Sequence, residues 1–539
     1  MTKTNIVTTA LIYANGPLHL GHLVEQIQAD IWVRNKRMNG EKCIFISGDD
    51  AHGTPIMISA QQKNITPENM IAEILQQHNQ DSADFLIDYD YYHSSNCEDN
   101  ITITHEIYND LVVQDLIYSK EIEQPYDEAK QMFLPDRFIK GKCPKCGAED
   151  QYGDNCESCG ATYSTCDLIE PYSILSNEAP VNKKSEHFFF KLGKQQQQIE
   201  QWLKSSPLQK QILNKLKEWL HEELKDWDIS RDAPYFGIKI PNTENKYFYV
   251  WLDAPIAYIA ILKNFCSKNK AGKIEDYWGK NSNSDIYHFI GKDISYFHGL
   301  FWPAVLSASK YKLPTAVYAH GFLTVNGKKM SKSKGTFITA RKYLDNLNPE
   351  YLRYYIATRM SNGVDDIDLN WDEFITKVNT DLIGKVINIA SRCSGFIQKH
   401  FNGKLATNLD DDEIVKNLIT AADEVKNLYE NRQYAQATAL IMQHADVANQ
   451  YIAKESPWKK IKEDNMQLKV HEVCTTALNL FKGIMLFLHP IIPETTAKSM
   501  EFLNFSDISW NGTKEILLDH KIRPYQHLLK RVESKDIPV

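Results

Sequence analysis

The sequence contains no run approaching the ~18 apolar residues needed to cross a bilayer, so a membrane-spanning helix is not expected and none is assigned. Nor does it open on a secretory leader: the apolar part of MTKTNIVTTALIY is short, threonines break it, and no small-residue cleavage site follows. A cytoplasmic location is expected. The chain also lacks an excess of positive charge, since 61 Lys and Arg stand against 69 Asp and Glu, a net of −8. A broad basic face for nucleic acid is therefore not expected, and any such contact must use local patches. Internal repeats and long low-complexity runs are missing too; KQQQQIEQ (194–201) reads as a solvated helix face. A disulfide framework is excluded for ten cysteines in a cytoplasmic chain.

What is present is the composition of a soluble globular protein, 43% hydrophobic and 24% charged, in 539 residues. That length suggests three or four structural units. Residues 5–13 (NIVTTALIY) are β-branched and apolar and read as a buried strand. A helix-like stretch runs to about Met38, NGEK turns the chain, and CIFISGDDAHG reads as a second strand. This βαβ opening predicts a parallel sheet with ligands at the carboxyl ends of its strands, where Tyr13–His22 and Asp49–Thr54 fall. From about 116 to 230 the pattern departs from α/β and reads as an insertion. It returns at KYFYVWLDAPIAYIAIL and DIYHFIGKDISYFHGLFWPAVL, and TAVYAHGFLTV is a further strand leading into NGKKMSKSKG. Beyond about 372 the chain reads as a helical bundle. In its segment EIVKNLITAADEVKNLYE, Ile414, Leu418, Ala421, Val425 and Leu428 mark one apolar face.

CPKCGAEDQYGDNCESCG holds two CxxC pairs, Cys143 with Cys146 and Cys156 with Cys159, each followed by a glycine. Two thiolates on one tight turn can meet one metal, and four give a closed tetrahedral site, the structural form of zinc. With no open position, such a zinc supports structure and not catalysis. Cys166 falls outside the pattern and is expected to be a plain buried thiol.

PLHLGH places His19 and His22 three apart at a helix start, on one face. Helix N-termini attract anions, and imidazoles there can donate to phosphate oxygens. Gly21 leaves room for a flat ligand. Taken alone the motif equally allows metal ligands or satisfied surface histidines. In GKKMSKSKG, Lys328, Lys329, Lys332 and Lys334 crowd a loop bounded by Gly and Ser. A solvated charge run is the plain alternative. Mobile lysines on a glycine-hinged loop, however, suit a leaving group that gathers negative charge.

HLGH (19–22) and KMSKS (329–333) together resemble the two signatures of the class I aminoacyl-tRNA synthetases. With a four-cysteine knuckle in the insertion, the chain resembles the zinc-knuckle methionyl family of that class. TALIYANGPLHLGHL, GDDAHGTPI, WLDAPIAYI, GKDISYFHGLFWPA, GFLTVNGKKMSKSKGT and ESPWK carry the likeness along nearly the whole chain. The resemblance implies a Rossmann-like catalytic domain with a zinc-knuckle insertion, then an all-α anticodon-binding bundle. The expected division is 1–115 and 231–325 for the two catalytic halves, 116–230 for the insertion, 326–385 for the KMSKS loop and stem-contact region, and 386–539 for the bundle.

It further implies activation of L-methionine by ATP with Mg2+, then transfer to the 3′ end of elongator and initiator tRNA(Met). On the family pattern His19, Gly21 and His22 contact ATP, and Lys332, with Lys329 a weaker candidate, stabilises the pyrophosphate. Ala10, Leu11, Tyr13, Trp251, Pro255, Tyr258, Ile294, Phe297, His298 and Trp302 are implied to line the methionine pocket, which suits a polarizable thioether, with Asp50 on the ammonium. Asp49, Asp50, His52 and Asp293 could also suggest a metal cluster; substrate contacts are preferred because GDD sits at a strand end. Asn388, Arg392, Pro457 and Trp458 match positions that read the CAU anticodon, by edge contacts and stacking. The insertion looks too short for the editing domain of the isoleucine and valine enzymes. An end at Val539 leads to the expectation of a monomer without the C-terminal dimerisation domain of many family members.

Overall fold

The computed structural model describes residues 3–538 apart from 136, 137, 154, 155, 157, 160, 162, 164, 206, 207, 222 and 331–336. Its centre is a parallel sheet built from β1 (Thr4–Thr9), β2 (Ile12–Tyr13), β3 (Lys42–Asp50), β4 (Tyr91–Ser94) and the strands Asp285–Gly291 and Ala316–His320. β1 lies between β3 and Asp285–Gly291, β4 flanks β3 on the far side, and Ala316–His320 closes the other edge. The order of strands therefore reverses beside β1, and in open α/β sheets that crevice is where ligands bind.

The stretch 5–13, read as one strand, is two. Thr9 ends β1, Ala10 and Leu11 step out of the ladder, and Ile12 and Tyr13 pair with Asp49 and Asp50. The step leaves Ala10 and Leu11 half-buried at the sheet's carboxyl edge. TAVYAHGFLTV is likewise broken. Ala316–His320 stays in the main sheet, while Leu323–Val325 joins a small sheet with Lys328–Lys329 and Ile367–Leu369. The break falls at Gly321, where any Cβ would sit 2.0 Å from the carbonyl oxygen of Asp365.

α1 (Leu20–Met38) packs on the sheet with few residues exposed along its length. The insertion forms an antiparallel sheet, Ile117–Asp127 against Val181–Phe190 with Trp227–Asp228 at its edge, and a smaller sheet that carries the cysteine pairs. Helical turns run unbroken through residues 371–400, and the helices Asp412–Glu430, Tyr434–Glu455, Gln467–Leu488 and Pro493–Phe502 follow. One buried apolar cluster runs from α1 into this bundle without a gap.

On the helix Asp412–Glu430 the fully buried residues are Val415, Leu418, Ala422, Val425 and Tyr429; of the expected face, Leu418 and Val425 are among them, while Ile414, Ala421 and Leu428 pack half-buried against the same core. Tyr429 lies outside the expected face, yet its ring is buried and its hydroxyl donates to the carbonyl of Phe487 at 2.9 Å. Cys166 is exposed, against the expectation of a buried thiol. It sits in a single turn, Thr165–Asp167, with no buried residue.

Candidate functional site

Two adjoining cavities open at the carboxyl edge of the sheet. The first encloses about 560 Å3 and is lined by Ala10, Leu11, Asp50, Trp251, Ala254, Pro255, Tyr258, Ile294, Phe297, His298 and Trp302. Apart from Tyr13, it gathers every residue expected for the amino-acid pocket and adds Ala254. The helix Val250–Asn269 contributes one wall, and Pro255 sits within its first turns. The other wall comes from Phe297–Phe301, a wide i→i+5 turn that leads directly into the helix Trp302–Ser307. Such bulges swing side chains out of helical register and are frequent at functional sites.

The wall is uncharged. His298 Nδ1 lies 3.3 Å from the carbonyl of Ile294, and Nε2 lies 3.1 Å from the Tyr258 hydroxyl. Nδ1 therefore carries the hydrogen and Nε2 accepts. Burial pushes His298 down to about 4, so it stays neutral. Behind it, Trp302 Nε1 donates to His288 Nε2 at 3.2 Å.

Asp50 is the exception. Its Oδ1 is buried and has no hydrogen-bond partner. Burial, with Asp253 adding to it, raises its carboxyl well above the usual range despite His52. An unpartnered carboxylate oxygen at the polar end of an apolar pocket fits a cationic ligand group. Its neighbours are partly engaged, with Asp49 Oδ2 and Asp253 Oδ1 likewise buried without a partner. Asp49 Oδ1 lies 2.8 Å from His78 Nδ1 and accepts from the Tyr92 hydroxyl at 2.5 Å, and His52 Nδ1 lies 2.6 Å from Asp253. The alternative of a metal cluster in this stretch finds no support. Among the described residues, only the four cysteines form a group able to hold a metal.

The second cavity, about 1200 Å3, shares Ala10, Leu11 and Ile294 with the first and holds Tyr13, His19, Gly21, His22, Glu25 and Lys329. Tyr13 thus lines this cleft. His19 caps α1, its Nδ1 accepting from Gly21 N at 3.1 Å, and its ring stacks on His22 with centroids 3.6 Å apart. Burial, then His19 and His78, hold His22 well below its usual value. A Cβ on Gly21 would meet the Met330 methyl at 2.7 Å.

The segment that follows the second signature meets the first through the backbone. Leu20 N donates to Ile338 O at 3.1 Å and Ala340 N to Leu18 O at 2.8 Å, and Phe337 packs edge-on to His19. The entry to the second signature is an Asn-Gly hairpin, with positive φ at Asn326 and Gly327, that presents exposed Lys329 to the cleft. Lys332 lies outside the described residues. Glu25 was missed by sequence reasoning, although it stands three residues after His22 on the same face of α1.

The sulfurs of Cys143, Cys146, Cys156 and Cys159 all lie within 4.8 Å of one another, with Cys143–Cys159 at 3.9 Å and Cys146–Cys156 at 3.6 Å. Zinc–sulfur bonds of about 2.3 Å in a tetrahedron require edges of about 3.8 Å, so the set fits. The N–H groups of Lys145 and Cys146 point at Cys143, and that of Cys159 at Cys156.

In the bundle, Asn388 and Arg392 share the helix Asn388–His400. Arg392 lies 6.0 Å from the centre of the Trp458 ring, which is 38% exposed beside buried Pro457. Exposed Arg392 and half-exposed Trp458, from separate segments, thus meet at the surface.

A profile of the tRNA synthetases class I (M) matches residues 5–394, and one of the anticodon binding domain of methionyl tRNA ligase matches 403–527. Methionine–tRNA ligases of two Francisella tularensis subspecies, holarctica (strain OSU18) and tularensis (strain WY96-3418), are each 52% identical over 535 residues, 99% of this chain and 79% of theirs. The fold is similar to that of Mycobacterium tuberculosis methionyl-tRNA synthetase in complex with methionyl-adenylate, at a TM-score of 0.81 and 21% identity over 98% of this chain and 99% of that one. Against the apo form of that synthetase the TM-score is 0.74 at 19% identity, over 99% of each chain. Sequence along almost the full length, the first signature and Lys329 at one cleft and the bundle behind them agree: the chain belongs to the methionyl family of class I tRNA synthetases.

Proposed function

We propose that the chain is a methionine–tRNA ligase that joins L-methionine to ATP as methionyl-adenylate and then esterifies the 3′ end of tRNA(Met), elongator and initiator alike. The observation that carries this reading is that the two cavities adjoin. Ala10, Leu11 and Ile294 belong to both, so an amino acid in the apolar pocket faces a nucleotide in the signature-lined cleft.

The methionine side chain lies among Trp251, Pro255, Tyr258, Phe297, His298 and Trp302, and its ammonium meets Asp50. Its carboxylate then points across Ala10 and Leu11 and attacks the α-phosphorus of ATP, which arrives with Mg2+. His19 and His22 donate to the phosphates, and the adenine lies against Gly21. Negative charge grows on the departing pyrophosphate, where Lys332, assisted by Lys329, lowers the barrier electrostatically. No covalent enzyme intermediate is required; position and charge carry the step. The terminal adenosine hydroxyl of the tRNA then displaces AMP.

Zinc held by Cys143, Cys146, Cys156 and Cys159 stabilises the insertion and takes no part in the chemistry. Asn388, Arg392, Pro457 and Trp458 read the anticodon. On this reading 1–115 and 231–325 are the catalytic halves, 116–230 the insertion, 326–385 the loop and stem-contact region, and 386–539 the anticodon reader. The test is incubation with α-phosphate-labelled ATP, methionine and pyrophosphatase but no tRNA. The expected product is enzyme-bound labelled methionyl-adenylate; label that stays in ATP, or appears as AMP independently of methionine, overturns the reading.

A further inference from the structure

His187 is fully buried in the strand Val181–Phe190 of the insertion, and both its ring nitrogens face carboxylates. Nδ1 lies 2.8 Å from Asp228 Oδ2 and Nε2 lies 3.0 Å from Asp232 Oδ2. A neutral imidazole has one N–H, so two such contacts with ionised carboxylates require the doubly protonated ring. Asp228 and Asp232 lie on the segment by which the chain leaves the insertion and re-enters the catalytic half, and the clamp holds that segment at two points.

From it, two aromatic arms reach the amino-acid pocket. Trp227, next to Asp228, sets its ring edge-on to Phe297 at 5.9 Å and packs on Phe301 at 4.5 Å. Arg231 pairs with Asp228 at 3.3 Å and lies 3.7 Å over Tyr249, which stacks on Trp251 at 5.8 Å and 10°. Trp251 and Phe297 meet at 3.8 Å and both line the pocket. We propose that His187 is a positioning residue for the methionine pocket: its charged ring, clamped between Asp228 and Asp232, fixes the Trp227 and Arg231–Tyr249 arms that set Trp251 and Phe297. This rests on the reading of that pocket as the methionine seat.

The charges that face the clamp are few. Lys246 lies 2.5 Å from Asp232, Arg231 is on Asp228, and exposed Lys120 is the strand partner of His187 on Ile117–Asp127. Burial opposes the charge on His187, but the two carboxylates outweigh it and raise its pKa. Burial also opposes the charge on Asp232, where His187, Lys246 and Ser185 together hold the carboxyl below its usual range. With a raised pKa the clamp is complete below the ordinary histidine range and is lost as pH rises through the folded-state value.

The experiment is methionine-dependent ATP–pyrophosphate exchange by the whole chain between about pH 6 and pH 9, comparing the unaltered protein with His187→Gln and Asp232→Asn. Titration of the methionine ammonium is common to all three and cancels in their ratios. In His187→Gln the methionine KM at neutral pH is expected to be about tenfold higher, with kcat changed far less, and its ratio to the unaltered protein falls toward one as pH rises. In Asp232→Asn, which keeps the Asp228 contact, the alkaline rise in KM is expected at lower pH, because one stabilising carboxylate is gone. Ratios that do not vary with pH, or a His187→Gln KM within about twofold of the unaltered protein at neutral pH, overturn the inference. Should His187→Gln not fold, the shift in Asp232→Asn decides alone, and an unshifted rise overturns it. Absence of methionine-dependent exchange in the unaltered protein overturns the functional reading itself.

Discussion

Asp50 concentrates the conflict between folding and binding in one side chain. Its carboxyl is raised above its unfolded value, chiefly by burial and then by Asp253. The folded empty chain therefore holds that proton more tightly than the unfolded chain, a contribution to stability present at low pH and lost as pH rises through the raised value. Once ionised, the buried group is destabilising until a cation meets it. Asp50→Asn is accordingly expected to leave the thermal midpoint unchanged or higher while raising the methionine KM about a hundredfold, the ~3 kcal/mol of a charge-assisted buried contact. Scanning calorimetry and exchange kinetics check the two halves of that statement. The place of Asp50 at the sheet's carboxyl edge was legible because GDD ends a strand, whereas its role came from the resemblance. His187 was not, because its two carboxylate partners lie 41 and 45 residues away in the chain. Tyr13, implied for the pocket by the resemblance, lines the adjoining cleft, and no local pattern distinguishes the two.

At the scale of elements, the spacing of cysteines, glycines and turn residues told most. The Asn-Gly hairpin before Lys328 and the paired CxxC turns both follow from local backbone demands. Chelation of zinc is expected to free the four thiols to a thiol reagent and to expose the insertion to protease while methionine-independent nucleotide binding persists. Proteolysis and thiol titration with and without chelator measure this, and thiols that are equally reactive before chelation would contradict a closed site. For the bundle, Trp458→Ala is expected to raise the tRNA KM in aminoacylation by roughly 10- to 100-fold, the ~1–3 kcal/mol of a base stack, with pyrophosphate exchange unchanged. Periodicity found the buried side of Asp412–Glu430 through Leu418 and Val425 but left out Tyr429, which is buried with its hydroxyl on a buried carbonyl.

Across the whole molecule, the catalytic sheet and the helical bundle are held by a contact that no local pattern announces. Arg353 is fully buried in the helix Pro349–Arg359 and bonds Asp30 of α1 at 2.5 Å, the carbonyls of Phe85 and Leu86, and those of Pro490 and Ile491 at the turn between two bundle helices. One guanidinium thus ties the helix that begins with His19 and His22 to the anticodon-binding part. Arg353→Met removes this donor from the carbonyls of Phe85, Pro490 and Ile491, leaves Leu86 O to Arg34, and leaves Asp30 with Arg34 and the Asp88 N–H, so a loss of at least ~3 kcal/mol is expected. Urea unfolding followed through both parts should show them losing stability together. The βαβ opening and the helical second half were legible because periodicity is local, whereas the continuous core joining them depends on contacts more than 300 residues apart. The central claim is a choice of substrate, and ATP–pyrophosphate exchange run separately with each of the amino acids tests it most directly. The account predicts rapid exchange with methionine and little with any other; exchange that is equal or greater with a different amino acid, or absent with methionine, would contradict it.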